Sequence, residues 1–283
     1  MIIDAHTHIF SPHIVSHREE YISRDPCFAM LYGNSKAKLV TVQELLASMD
    51  CCEIDMSVIA GIGWVSHELC VESNDYLLEC LARYPQRLVG LATVQPQVGD
   101  AAIKELERCV QGGVKGLGEM RADVQGFDLT SGTLAEIAAY LVAHDLIWQS
   151  HASEPVGHIY SGKGVLTPDV LYPFVLRYPM LKIVLAHWGG GLPFYAIMPE
   201  VRVALKNVYF DTAVSSYLYS PSVYSQVINA VGTKNVIFGS DYPLMSPTKA
   251  LVEVRSSGLT EPEQVAVMGE NTMRLFGLGS WAK

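Results

Sequence analysis

The sequence predicts an α/β chain folded as a (β/α)8 TIM barrel. Its 283 residues contain eight short apolar runs of strand length, which alternate with longer segments of helical periodicity. Strands that alternate with helices form parallel sheets, and eight such units in a chain of this length fit a closed barrel. A doubly wound open sheet is the alternative, but no G-x-G-x-x-G follows the first strand. No linker or internal repeat divides the sequence, so we expect one domain over residues 1–283.

The predicted strands are short and rich in Val, Ile and Leu, and they cover residues 2–8, 56–61, 88–94, 114–119, 146–151, 183–187, 208–212 and 236–241. The segments between them place apolar residues three and four apart, as helices do, and cover residues 41–49, 74–82, 100–111, 134–143, 168–177, 192–204, 222–231 and 246–256. A last helix is expected at residues 262–275. Residues 11–38 are too many for an ordinary connection, so we expect a long loop over the barrel mouth.

Composition argues against several classes of function. The chain has 20 Lys and Arg against 29 Asp and Glu, a formal net charge of -9, and no basic run offsets it locally. Such a surface repels a phosphate backbone, so we expect no nucleic-acid partner. The apolar stretches are too short and interrupted to cross a bilayer. None of the six cysteines forms a C-x-x-C pair and the start shows no leader-like pattern, so we expect a reduced, cytoplasmic protein.

Metal-binding residue types end five of the predicted strands, always on the C-terminal side. In a barrel these strand ends meet at one mouth, where the active sites of this fold lie. Six such residues at the same end favour a metal site over six unrelated buried polar groups. They are His6, His8, Glu119, His151, His187 and Asp241.

His6 and His8 are the most informative pair. Residues two apart on a strand point to the same face, with Cα atoms about 6.5 Å apart. Two imidazoles can converge from there on one cation at about 2.0–2.1 Å. His151 and Asp241 would complete a set of three nitrogens and one oxygen with room for water, which suits catalytic Zn²⁺ and also accepts Mn²⁺, Fe²⁺ or Co²⁺.

Four stretches, "DAHTHIF", "HWGGGLPF", "NVYFDTA" and "FGSDYP", occur in this order along the chain. With them the sequence resembles the amidohydrolase superfamily, and more narrowly the amidohydrolase-related family that includes aminocarboxymuconate-semialdehyde decarboxylase, γ-resorcylate decarboxylase, pyrone-dicarboxylate lactonase and 4-oxalomesaconate hydratase. The resemblance implies a distorted TIM barrel. It implies that His6, His8, His151 and Asp241 hold the metal. It also implies that His187 is an acid/base group beside a single ion, or a ligand of the second ion in a binuclear centre.

Glu119 leaves the number of ions open. Binuclear relatives place a bridging carboxylated Lys or a Glu at the end of the fourth strand, and "GLGE" also resembles the "IGE" of TatD-like deoxyribonucleases. One ion is the expectation, because the other motifs resemble the decarboxylase, lactonase and hydratase branch. A structural alternative is that Glu119 pairs with Arg121, two residues further on.

The predicted function is that of a metal-dependent hydrolase or lyase acting on a small carboxylated substrate. A metal-activated water or a metal-polarised carboxylate would serve lactone or amide hydrolysis, decarboxylation or hydration. Asp241 would take a proton, and His187 would stabilise developing charge or protonate the departing atom. Side chains expected to contact the substrate are Arg121, His158, Tyr160, Lys163 and Trp188, although the glycine-rich loop around residue 160 can equally be structural.

Two other functions stay open at this point. Glu119 permits a binuclear TatD-like phosphoesterase or nuclease, which the acidic surface disfavours. A non-catalytic metal-binding barrel is the third hypothesis, but a structural metal would not need ligands spread over an open mouth. A homodimer with an isologous contact is the expected oligomer.

Overall fold

The computed structural model describes residues 1–279 and contains eight parallel strands. Their bounds are β1 Ile3–Thr7, β2 Met56–Ala60, β3 Leu88–Leu91, β4 Gly116–Met120, β5 Ile147–Ser150, β6 Lys182–Leu185, β7 Val208–Asp211 and β8 Val236–Ile237. Every strand pairs with its sequence neighbour in the orders β1-β2-β3 and β4-β5-β6-β7-β8. The eight strands lie within two residues of the predicted starts, because each is a short apolar run that reads locally as a buried strand.

The two sheets meet at two narrow seams. Between β3 and β4, an isolated bridge pairs Ala92 with Leu117. Between β8 and β1, a second bridge pairs Thr7 with Tyr242, and the Ala5 N–H donates to the Phe238 carbonyl at 2.8 Å. These bonds close the circle of strands, so the predicted barrel is confirmed, with a distortion at the seams.

Helices cover the outside of the barrel between successive strands. They are α1 Pro12–Ser16, α2 Arg18–Arg24, α3 Pro26–Tyr32, α4 Val42–Cys51, α5 His67–Arg83, α6 Asp100–Gln111, α7 Ala122–Gln125, α8 Gly132–Ala143, α9 Pro168–Arg177, α10 Ala186–Gly189, α11 Pro199–Ala204, α12 Ser215–Leu218, α13 Val223–Val231, α14 Pro247–Arg255, α15 Glu261–Val265 and α16 Asn271–Leu275. A π-helical turn, Ala266–Glu270, joins the last two. None of these helices within residues 1–279 is long and apolar enough to span a bilayer.

Two helices differ from the sequence prediction for local reasons. α5 begins at His67, seven residues before the predicted start, because the Ser66 hydroxyl accepts from the Leu69 N–H at 3.2 Å and caps the helix there. The predicted helix 192–204 is divided into the 3-10 helix Leu192–Ile197 and α11. Pro199 has no N–H to continue the hydrogen-bonding pattern across the junction.

Two apolar layers stabilise the barrel. Inside it, residues near the strand starts pack on the C-terminal end of the chain, and this group includes Ile3, Val58, Val89, Ile147, Val184, Ile237, Leu275 and Phe276. Between strands and helices lies the larger cluster, to which Trp148, Phe174 and Phe210 belong. With the lower barrel filled in this way, the polar residues at the strand ends lie at the opposite, upper end.

Residues 11–38 correct the sequence prediction of one long loop. The segment folds into α1, α2 and α3, two of which begin at a capped proline: Ser11 caps Pro12, and Asp25 caps Pro26, each through its side chain. Its aromatic residues form a small core of their own with the loop after β2, in which the Phe28 and Trp64 rings stack at 5.3 Å. The segment is therefore a packed subunit of the barrel.

Candidate metal centre

His6 and His8 face each other at the end of β1. Their Nε2 atoms lie 3.1 Å apart, and both residues are buried. His6 Nδ1 lies 2.9 Å from Asp211 Oδ2, and His8 Nδ1 donates to the Ala60 carbonyl at 3.0 Å. Because these acceptors hold a proton on both Nδ1 atoms, both Nε2 atoms present lone pairs to the same point.

Two carboxylates complete this group of acceptors. Asp241 Oδ1 lies 3.3 Å from His8 Nε2 and 3.9 Å from His6 Nε2. Glu119 Oε2 lies 3.8 Å from His6 Nε2 and 3.9 Å from His8 Nε2. Four acceptor atoms thus surround one point that receives no protein donor from residues 1–279. Ligands of one divalent transition ion lie about 3–3.6 Å apart, so the four fit such an ion after a small shift of the carboxylates.

The second oxygen of Glu119 belongs to a neighbouring group. Glu119 Oε1 lies 2.8 Å from His151 Nδ1 and 3.3 Å from His187 Nε2. The other nitrogen of His151, Nε2, lies 3.0 Å from the Ser153 hydroxyl. Both nitrogens of His151 therefore have protein partners. The structure brings Glu119 to the His6–His8 pair, where the resemblance implied His151.

Charges set the protonation of this cluster. Burial lowers the pKa of His6, but Asp211, Asp241 and Glu119 outweigh it and raise the value to about 10. Burial and the Arg121 guanidinium lower the pKa of His151 to about 4, so its ring is neutral. A proton at His6 occupies the place of a cation, as the negative charge around Nε2 requires.

The pKa values of the carboxyl groups respond to the same neighbours. Burial raises the pKa of Glu119, but His151 and His187 outweigh it and hold the value well below its usual range. For Asp241, the hydrogen bond from His8 and the charge of His6 outweigh burial and lower the pKa. The pKa of His187 is raised, because Glu119 outweighs the effect of burial. Two ionised carboxylates beside a protonated His187 give the site both cation ligands and a proton donor.

The backbone is strained where two of these side chains emerge. His187 and Asp241 have φ values of 54° and 62°, and Trp188 follows His187 with 57°. Residues with a Cβ rarely adopt this left-handed region unless the surroundings impose it. The Asp211 carboxylate provides part of the constraint, since its Oδ1 accepts from the His187 N–H at 2.8 Å. Asp211 thus positions both His6 and His187.

A cavity of about 480 Å³ opens above the cluster, at the mouth of the barrel. His8, Glu119, His151, His187 and Asp241 line its floor. Its walls are partly apolar and include Leu31, Tyr32, Val214, Leu218, Pro243 and Leu244. The volume and the lining suit a small aromatic molecule whose polar group faces the floor.

Three of the five residues expected to contact a substrate line this cavity: Arg121, His158 and Tyr160. Trp188 and Lys163 are corrections, because neither is among the described residues that line it. Trp188 is fully buried and donates its Nε1–H to the Ser215 hydroxyl at 2.7 Å. Lys163 folds back on its own loop and donates to the carbonyls of Val156 and His158.

Two residues at the site were not predicted. Ser153 lies two residues after His151 and contacts its ring, a spacing that the sequence displays but that does not by itself indicate a role. Tyr32 lines the cavity from α3, and no signal in the sequence shows that this helix reaches the mouth. Arg121 does not pair with Glu119, the alternative considered from the sequence, but with Asp123 at 3.1 Å.

Comparison with known proteins agrees with this site. A family model described as amidohydrolase matches residues 3–278. The γ-resorcylate decarboxylase of Polaromonas sp. is 25% identical over 256 residues, which cover 75% of this chain and 77% of the relative.

Two solved structures show the same fold. The 5-carboxyvanillate decarboxylase of Sphingomonas paucimobilis superposes with a TM-score of 0.82 at 20% identity, covering 98% of this chain and 99% of that one. A dihydroxybenzoic acid decarboxylase from Polaromonas sp. JS666, solved with manganese and the inhibitor 2-nitroresorcinol, gives a TM-score of 0.72 at 18% identity, covering 99% and 98% of the two chains. With the family match over nearly its whole length and a cluster of His and carboxylate groups fit for a divalent ion, this chain belongs to the amidohydrolase family and is an enzyme of that family.

Proposed function

We propose that the enzyme decarboxylates a small aromatic carboxylic acid with the help of a divalent metal ion. The observation that carries the proposal is the set of four acceptors, His6 Nε2, His8 Nε2, Asp241 Oδ1 and Glu119 Oε2, at the floor of a cavity with apolar walls. Support also comes from the relatives, whose names are those of decarboxylases of aromatic acids.

The four acceptors would hold one ion. When bound, it supplies positive charge that orients the substrate and stabilises negative charge developing beside the carboxylate. Two imidazoles and two carboxylates accept Zn²⁺, the metal expected from the sequence, as well as the manganese of the similar decarboxylase. Metal analysis of the purified protein decides between them.

The residues around the ion have separate tasks in this reaction. The bond between the ring carbon and the carboxylate breaks, the electron pair remains on the ring carbon, and CO₂ leaves. A proton must then reach that carbon, and protonated His187, which lines the cavity, is the group we assign to deliver it. Asp211 orients His187, and Glu119 holds its charge through Nε2. A role of Asp241 as base belongs to the hydrolytic alternative.

The assignment of His187 has a direct test. His187→Asn should lower kcat by roughly 100-fold or more, the usual contribution of a positioned proton donor, while the bound metal stays at the wild-type level. A loss of metal in this variant would make His187 a ligand instead. That result, with two ions per wild-type chain, would indicate a second ion among Glu119, His151 and His187, whose donor atoms also lie close enough to share one.

The reaction itself is tested with a substrate panel. Manganese- or zinc-loaded enzyme should release CO₂ from members of a set of hydroxylated and methoxylated benzoic acids, including 2,6-dihydroxybenzoate and 5-carboxyvanillate. Matched lactones, amides, unsaturated acids and the phosphodiester bis(4-nitrophenyl) phosphate measure hydrolysis, hydration and nuclease-like activity. Turnover of one of these, with no CO₂ from any acid, would contradict the proposal. Family membership as an enzyme disfavours the non-catalytic barrel.

Three further features remain part of the proposal. A homodimer is proposed, and light scattering on the eluted protein would give about twice the 31.0 kDa chain mass. A cytoplasmic location is proposed, and the six free cysteines are consistent with a reducing compartment. One continuous domain is proposed for the chain, and a single cooperative unfolding transition is the expected result.

A further inference from the structure

Arg121 is a buried cation with an unused pair of donors. Its side chain is only 1% exposed. Nε and Nη2 donate to the two oxygens of Asp123 at 3.4 and 3.1 Å. The remaining guanidinium nitrogen, Nη1, is buried and has no hydrogen-bond partner among residues 1–279. Buried charged donors are rarely left unsatisfied, so a group from outside the chain is expected to meet Nη1.

The guanidinium belongs to the wall of the cavity above the metal centre. Arg121 lines this cavity together with Glu119, His151 and Gly162. A Cβ atom built on Gly162 would lie 3.9 Å from Nη1, and one on Gly164 would lie 2.6 Å from Nη2. Gly164 therefore cannot carry a side chain without displacing the guanidinium. The loop that covers Arg121 is glycine at the positions where it approaches closest.

The charges near the cavity favour an anionic occupant. Lys36, Lys38 and His158 also line it, on a chain whose formal net charge is -9. The carboxylates of the floor face the histidines and the candidate ion, and that of Asp123 is occupied by two nitrogens of Arg121. The two N–H groups of Nη1 are thus the buried cationic donors available to a ligand in this wall.

We propose that Arg121 binds a second acidic group of the substrate, so that the enzyme acts on aromatic diacids. The inference rests on the proposed function for the position of the first carboxylate, which lies at the ion. Glu119 and Arg121 are two residues apart along the chain at the end of β4, with Cα atoms about 6.5 Å apart. A benzene ring with acidic groups on two of its carbons can reach both anchors, whereas one carboxylate cannot.

The test measures binding and does not require turnover. Benzene-1,3-dicarboxylate, benzene-1,4-dicarboxylate and benzoate are titrated into manganese-loaded protein by calorimetry. Wild type should bind one of the diacids at least roughly tenfold more tightly than benzoate. Arg121→Gln should weaken that diacid by roughly 10- to 150-fold, the loss expected for a hydrogen bond to a charged group, and change benzoate by less than about threefold. Arg83→Gln, whose side chain is 55% exposed, is the matched control and should bind like wild type.

A purely structural role of Arg121 predicts a different result. Loss of the pair with Asp123 would lower the melting temperature and weaken all three ligands equally, which would overturn the proposal, as would a wild type without preference for either diacid. If Arg121→Gln does not fold, Arg121→Lys keeps the charge but loses the second N–H fork, and it should retain only part of the preference. A diacid preference without CO₂ release would refute the decarboxylase but not this site. CO₂ release from monoacids without the preference would do the reverse.

Discussion

Asp211→Asn tests how the centre prepares its ligands. The Asp211 side chain is fully buried, and its two oxygens accept from His6 Nδ1 at 2.9 Å and from the His187 N–H at 2.8 Å. The amide has almost the same shape, and its oxygen can still accept from His187. Its NH₂ group then faces His6 Nδ1, where two donors would meet. His6 must move its proton to Nε2, the atom that points to the ion.

The magnitude follows from this change of tautomer. Loss of a hydrogen-bond partner behind a metal ligand lowers metal affinity by roughly 10- to 100-fold, about 1.4–2.7 kcal/mol. We expect a value near the upper end, because the amide opposes the required tautomer as well as losing the charge of the carboxylate. The apo protein should keep its fold, since every other contact of residue 211 is retained by Asn.

The assay is competition for Mn²⁺ or Zn²⁺ with a chromophoric chelator of known affinity, on apo protein checked by circular dichroism. Asp145→Asn is the control: Asp145 is 80% exposed and pairs only with Lys182 at the surface, so its metal affinity should equal that of wild type. Unchanged metal affinity in a folded Asp211→Asn protein would refute the assignment of His6 Nε2 as a ligand atom.

Three other perturbations have defined outcomes. His8→Ala should remove stoichiometric metal while the barrel stays folded, because its ring makes one backbone hydrogen bond, to Ala60; elemental analysis showing full metal content would contradict this. Chelation of the metal should lower the free energy of unfolding by about 4 kcal/mol relative to protein in metal at 1,000 times its Kd, and Tm by several degrees. An unchanged Tm would mean that the folded state does not bind the ion. Phe28→Ala should cost about 3–5 kcal/mol, because Phe28 is fully buried against Trp64, and it should raise KM through the loss of the cavity wall formed by α3. Urea unfolding and steady-state kinetics measure both effects, and a variant as stable as wild type would show that this small core is dispensable.

Much of the fold could be predicted because its signals are local. A strand such as β5 is a run of apolar residues between turn-forming segments, and its position needs no knowledge of the rest of the chain. The same locality explains the error at residues 11–38. Their helices are only five to seven residues long and are stabilised by capped prolines and by contacts with the loop after β2, which sequence periodicity does not reveal.

The sequence by itself determined the barrel and the end of the barrel at which the chemistry lies, because parallel strands bring their C-terminal ends together whatever the loops do. Only the tertiary structure decided which groups meet there. It turned Glu119 toward His6 and His8, paired Arg121 with Asp123, and placed Trp188 in the core. These outcomes depend on side-chain directions set by residues far away in the chain, such as Asp211, whose contact with His6 joins β7 to β1 across 205 positions.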